Sequence, residues 1–345
     1  MQPQDLYKLV YQNEFGPGHF IENEQISMAR LAEEFAGVSG RKGKSPIESI
    51  GNGLCRYYLW GTKERELPML NRIFVLTANG HKGTVDTFEK KLTAVGEMLP
   101  DLHFSFSPKE YFEFIRKQRQ MNYPAVSHSK GYRNACLPAY RVVDERYAPW
   151  LSVFTEIAGK VKDNPRPVIG IDGNAAAGKT TLAESLTDVF DCECVHMDDF
   201  FLPPSLRTEE RLQEVGGNVH YERFLEEIVR GIRSKEPFTY RVFSCHEMDY
   251  VGEKRISNRK MIVVEGAYSM RPEFRKLYDF KIFMKISERE QERRIVGRNG
   301  EEMWQVFRQR WIPMENRYFE ALPIKELFDL VCMADKTVDG VCQGE

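Results

Sequence analysis

The stretch Val168-Ile-Gly-Ile-Asp-Gly-Asn-Ala-Ala-Ala-Gly-Lys-Thr-Thr181 constrains this chain more than any other. Val168 to Asp172 is a short apolar run rich in β-branched residues, which predicts a buried strand. Gly173-x-x-x-x-Gly178-Lys179-Thr180 then satisfies every specified position of the phosphate-binding loop pattern. Leu182, Leu186, Val189 and Phe190 follow at helical spacing, so strand, loop and helix come in the order that pattern needs.

The spacing has a chemical reason. Glycines let the backbone curl until successive N–H groups point inward at phosphate oxygens, and a helix N-terminus adds partial positive charge. Gly173, Asn174, Ala175, Ala176, Ala177, Gly178, Lys179, Thr180 and Thr181 are therefore the expected ATP-binding residues. Lys179 would reach the β- and γ-phosphates and the Thr180 hydroxyl would ligate Mg²⁺. The competing reading is a glycine-rich turn that binds nothing, and the flanking strand and helix count against it.

A chain of 345 residues leads us to expect two domains, each long enough to bury its own core. The formal net charge of −2 shows no basic bias, which argues against nucleic acid as a main partner. No run of about 18 apolar residues suggests a membrane span, and the first residues, MQPQDLYKLVYQNEFG, do not have the pattern of a signal peptide. The expected compartment is the cytoplasm. The seven cysteines form no CxxC pair. They read as reduced thiols rather than a zinc or disulfide framework.

Residues 1 to about 150 read as a mainly helical domain. Asp5–Tyr11, Asn23–Phe35, Leu67–Asn79, Thr84–Leu99 and Pro108–Met121 carry helical apolar spacing or caps, with Thr84 and Ser107 as N-caps and Pro108 at the first helical position. Leu54 to Trp60 fits a strand or an apolar helical segment equally. Gly37 to Ser45 is a basic, glycine-rich loop, better read as a solvated surface than as a phosphate contact. His19, His128, Arg133 and Arg141 lie in two irregular stretches. They line a second ligand site on one reading; on the favoured reading they belong to turns and buried tyrosine hydrogen bonds. The amphipathic run Tyr147–Lys162 and the break at Lys162–Pro167 put the domain boundary near 150.

From Pro167 strands and helices alternate, which predicts an α/β fold: a P-loop NTPase-type parallel sheet flanked by helices, over residues 151–345. Strands are expected at Glu193–Met197, at Met261–Val264, at Phe280–Ile286 as a half-exposed or edge strand, and at Phe328–Met333. Ligands of open α/β sheets bind beyond the C-terminal strand ends. Asp172, the pair Asp198 and Asp199, and Glu265 all fall there. Phosphoryl transfer needs one carboxylate to take the proton of an attacking hydroxyl and others to hold Mg²⁺, and Asp199 and Glu265 suit the second task beside Thr180. Capping or turn carboxylates are the competing reading. Arg289, Arg293, Arg294 and Arg298 crowd one segment with Gly297 and Gly300, as a hinged lid over the transferring phosphoryl would. The glutamates between them allow a solvated helix face instead.

These residues resemble the uridine kinase and phosphoribulokinase group of P-loop kinases. The likeness runs from Val168 to about Met333 and rests on GNAAAGKTT, HMDDFF (196–201), GGNVHYERF (216–224), VVEGAYS (263–269) and the arginine-rich segment. It implies Asp198 as catalytic base, Lys179 and Thr180 on ATP and Mg²⁺, and Glu265 in the magnesium environment. Arg294 and Arg298 would meet the phosphoryl group; Phe201, Tyr240, Arg241, Arg293 and His220 would lie on the substrate side. His220 stands where the nucleoside kinases place an acidic residue on the ribose, and His246 or Cys245 is out of register with their base-contacting histidine. The expected activity is ATP-dependent phosphorylation of a small-molecule hydroxyl. A nucleoside such as uridine leads as acceptor, with a sugar or other polyol next. A nucleotide-binding regulator is the reading from another class, and self-association is compatible with any of them.

Overall fold

The structure, a computed structural model, describes residues 1–18, 23–38, 47–164 and 166–335. His19 and most of the Gly37–Ser45 loop lie outside them. The chain forms two compact units, Met1–Ala148 and Pro149–Glu345.

In the first unit, helices α1 (Pro3–Phe15), α2 (Glu24–Ala36), α3 (Leu67–Gly80), α4 (Val85–Met98) and α5 (Pro108–Gln120) follow the apolar spacing. The caps form as expected: Thr84 accepts from the Thr87 N–H, and Ser107 accepts from the Glu110 N–H while Glu110 reaches back. Tyr7, Phe88, Leu92 and Tyr123 bury a ring-rich core in which Phe88 meets Tyr7 edge-on at 5.5 Å between centroids. The helical reading missed a small sheet. Strands β1 (Ile47–Gly51), β2 (Leu54–Tyr58) and β3 (Tyr140–Asp144) pair antiparallel in that order. The ambiguous Leu54–Trp60 segment is thus mostly strand. The stretch read as irregular around Tyr140 and Arg141 is a strand too, because its partner lies more than eighty residues away and no local pattern reports it.

The second unit opens with α7 (Leu151–Asp163), which follows the short α6 (Lys130–Cys136) of the first unit, and is built on a five-stranded sheet. Its strands are β4 (Val168–Gly173), β5 (Glu193–His196), β8 (Ile262–Glu265), β9 (Phe280–Lys285) and β10 (Leu330–Met333), all parallel, in the order β10-β9-β4-β8-β5. Between them β6 (Phe238–Ser244) and β7 (Asp249–Ile256) make a separate antiparallel hairpin. Every residue of central β4 is buried, as a continuous apolar run predicts for a strand covered on both faces. β9 is not the edge strand its alternating lysines suggested. It lies between β10 and β4, with Phe283 and Met284 both buried, and only Lys285 at its end is exposed.

This order puts the ends of β4, β5 and β8 side by side. Helix α8 (Lys179–Phe190) leaves the loop after β4. The helix Glu288–Val306 breaks at Gly300, whose φ of 82° is outside the helical range, and the chain continues through Phe307–Trp311 into Ile312–Glu320. The break falls at one of the two glycines expected to hinge.

Candidate active site

The loop after β4 curls because three of its residues take positive φ: Gly173 at 139°, Ala176 at 59° and Gly178 at 91°. At Gly173 no side chain is tolerated, since a Cβ there would sit 2.0 Å from the Met284 carbonyl oxygen. The Lys179 ammonium folds back over the loop, donating to the carbonyls of Gly173 (2.8 Å) and Asn174 (2.9 Å), which leaves one of its three N–H groups for a ligand. The first turn of α8 adds N–H groups that no preceding turn can satisfy. This is a P-loop fold.

The loop forms one wall of a cavity of about 620 Å³, and Asp198, Glu265 and Glu315 all line it. Asp198 follows β5 in a 3₁₀ turn and is open to the cavity. Its carboxylate accepts no hydrogen bond from a described side chain or N–H. Packing within the cleft, then the charge of Glu265, raises its pKa against the pull of Lys179 and His196. Glu265 ends β8, buried, with His196 Nδ1 at 2.6 Å and the Thr180 hydroxyl at 3.4 Å. Cys194 and Glu265 together push the His196 imidazole up to about 10.

Several expected residues are elsewhere. Asp172 is wholly buried, accepting from the Tyr318 hydroxyl (2.8 Å) and from the N–H groups of Gly173 (2.7 Å) and Met270 (3.1 Å); it ties the loop to its support rather than facing a phosphate. Asp199, next to Asp198, turns the other way to accept from the Tyr240 hydroxyl at 2.9 Å. Neither lines the cavity, and Tyr240 is itself buried, stacked on Phe200. His220 caps the helix that follows it, its Nδ1 accepting from the Arg223 N–H at 3.3 Å, which is a backbone task rather than a substrate contact. Arg241 is held by Glu227 through two bonds of 3.1 and 3.0 Å, and Arg293 by Glu290 at 2.7 and 2.6 Å; both are exposed, and neither reaches the cavity. In each case a neighbouring carboxylate captures the guanidinium on the outer surface.

Arg294 and Arg298 do line the cavity, with Phe201. Arg294 reaches the Ala176 carbonyl at 3.2 Å and so touches the loop itself. Further lining residues that were not anticipated include Arg207, Asn218, Tyr268 and Glu315. Asn218 is buried with its Oδ1 unpaired, and Tyr268 holds a strained φ of 73° just after Gly266. Glu315 accepts the Ala175 N–H at 2.9 Å, and burial pushes its carboxyl up to about 7 against that bond and Lys179. Asn218 and Tyr268 sit inside the quoted motif segments and were legible there; Arg207 and Glu315 carried no local signal.

No protein-family model and no curated protein sequence matches the chain. Among solved structures it is similar to one described as a possible uridine kinase from Bacillus stearothermophilus, at 20% identity and a TM-score of 0.41, over 53% of this chain and 96% of that one. Another, described as a fructose transport system kinase from Silicibacter sp. TM1040, is 18% identical with a TM-score of 0.40, over 50% of this chain and 94% of that one.

Proposed function

We propose that the second unit is an ATP-dependent kinase of a small-molecule hydroxyl. The observation that carries this is that Asp198 presents an unshared carboxylate to the same cavity that the phosphate-binding loop walls. The loop N–H groups, Lys179, Arg294 and Arg298 suit a triphosphate: fixed dipoles, one ammonium and two guanidiniums facing one space. Asp198 takes the proton of the acceptor hydroxyl as its oxygen bonds to the γ-phosphorus. The bond from that phosphorus to the β,γ-bridging oxygen breaks, and ADP leaves carrying the electron pair. A carboxylate with a raised pKa is the stronger base for this step. The Thr180 hydroxyl and the Glu265 carboxylate, 3.4 Å apart, are hard oxygen donors that would hold Mg²⁺. Bound there, Mg²⁺ would neutralise phosphate charge.

A nucleoside such as uridine is the first acceptor to test, since Phe201 offers a ring for a base to stack on. A sugar or polyol is the second, favoured by the positions of His220, Tyr240 and Arg241. These residues, which the resemblance would put on a nucleoside, all lie off the cavity. The test is transfer of radiolabel from γ-labelled ATP to a panel of nucleosides, hexoses and polyols. A labelled product supports the kinase and names the acceptor class. Tight ATP binding with no product from any hydroxyl compound would favour a nucleotide-binding regulator instead.

A further inference from the structure

The phosphate-binding loop is gripped at one residue from two sides. The Ala175 N–H donates to Glu315 Oε2 at 2.9 Å, and the Ala175 carbonyl accepts from Gln291 Nε2 at 3.0 Å. A loop residue has no ladder or helical turn to pair its backbone, so side chains satisfy both polar groups here. All three residues are buried, with Gln291 only 5% and Glu315 only 7% exposed.

The two side chains come from either side of the arginine-bearing segment. Gln291 lies on the helix Glu288–Val306 before its break at Gly300, and Glu315 lies beyond that break, on Ile312–Glu320. The chain between them carries Arg294, Arg298, Met303, Phe307, Arg310 and Trp311, all of which line the large cavity. Both ends of that segment therefore stand on one loop residue. Arg294 adds a bond of its own, to the neighbouring Ala176 carbonyl. The two helices have other means of seating. The Tyr318 hydroxyl on Asp172 fixes Ile312–Glu320 beneath the loop, and the wholly buried Ile295 seats the helix that carries Gln291.

We infer that Gln291 and Glu315 are positioning residues for the nucleotide: by clasping Ala175 they hold Arg294 and Arg298 at a fixed distance from the phosphate-binding loop. The inference rests on the kinase reading, because it needs a triphosphate between the loop and those guanidiniums. Its physical basis is preorganisation. A guanidinium on a segment free to drift must be ordered when the phosphate arrives, and that ordering subtracts from affinity. One held in place beforehand loses little.

The test is calorimetric titration of the non-hydrolysable ATP analogue AMP-PNP, with Mg²⁺, into the full chain and its variants. Gln291→Met keeps the length of the side chain and removes its N–H donor. It should weaken binding about tenfold, the size of one lost buried hydrogen bond. Glu315→Leu should do the same, whereas Glu315→Gln, which keeps an oxygen for the Ala175 N–H, should stay within about threefold of the parent. Circular dichroism checks that each variant is folded, and Gln291→Met decides the matter should Glu315→Leu not fold. A double-variant cycle separates positioning from a purely structural role. In a chain already carrying Arg294→Gln and Arg298→Gln, Gln291→Met should weaken binding less than about threefold, because the groups it places are gone. A full loss of about tenfold in that background, or a folded Gln291→Met that binds within about twofold of the parent, overturns the inference and leaves the kinase reading intact. A parent chain that binds no AMP-PNP takes away the kinase reading, and this inference with it.

Discussion

The two ends of the large cavity are built differently. The phosphate end comes from one unbroken run of chain, residues 173–181, whose chemistry is mostly backbone. The opposite end is assembled from side chains on separate segments: Phe201 and Arg207 after β5, Asn218 before a helix, Cys245 and Met248 at the tip of the β6–β7 hairpin, and Tyr268 after β8. Backbone geometry is written in short glycine patterns and hardly depends on what packs nearby. A side-chain wall depends on which way each residue turns, and that is set by partners distant in sequence. One end of a site can therefore be read directly while the other has to be observed.

The sharpest way to break this comparison lies where the two ends meet. Asp198→Asn keeps shape and removes the base, so turnover should fall about a thousandfold while ATP affinity stays within about threefold. Near-normal turnover in that variant would take the catalytic role away from Asp198. Asp172→Ala tests the support beneath the phosphate end. It removes three bonds inside a sealed core and should cost about 3 kcal/mol in denaturant unfolding. Full stability with lost nucleotide binding would instead mean that Asp172 faces the ligand.

Glu315 sharpens the contrast through pH. Its folded-state pKa of about 7 lies above the ordinary 4.5, so between those values the folded protein holds a proton that the unfolded chain has released. Stability of the nucleotide-free wild type should then fall relative to Glu315→Gln as pH rises from about 4.5 to about 7, by on the order of 3 kcal/mol at most, and level off above. A flat difference across that range would show that Glu315 ionises normally. The smallest effects separate arginines that face the cavity from those that do not. Arg207→Gln should raise the acceptor KM about tenfold, whereas Arg241→Gln, whose guanidinium is held by Glu227, should change it less than twofold. Equal effects would erase the boundary drawn between the cavity wall and the outer surface.

Much of the fold was legible. Five helices of the first unit, the parallel strands of the second and the helix break at Gly300 all follow from spacing, caps and glycines. The three-stranded sheet escaped because β3 pairs with strands far away along the chain, and a strand's pattern carries no mark of its partner. β9 was misplaced for a related reason, since nothing in its residues reports that β10 covers its outer edge. At the site, Lys179, Thr180, Asp198, Glu265, Arg294, Arg298 and Phe201 all carry a signal in the sequence, and all line the cavity.

From the residues alone came the curl of the loop, the helix behind it and the carboxylates that close the parallel strands. These rest on local conformational preference, which acts within a few bonds. Which of two adjacent aspartates faces the cavity, and which arginines are drawn off by glutamates, was decided by tertiary structure. Asp198 and Asp199 are the same residue type on the same turn, and only the Tyr240 hydroxyl, brought in by a strand some forty residues later, holds one of them away. Contact between segments so far apart is a property of packing, where the free energy of the whole core outweighs any preference one residue has.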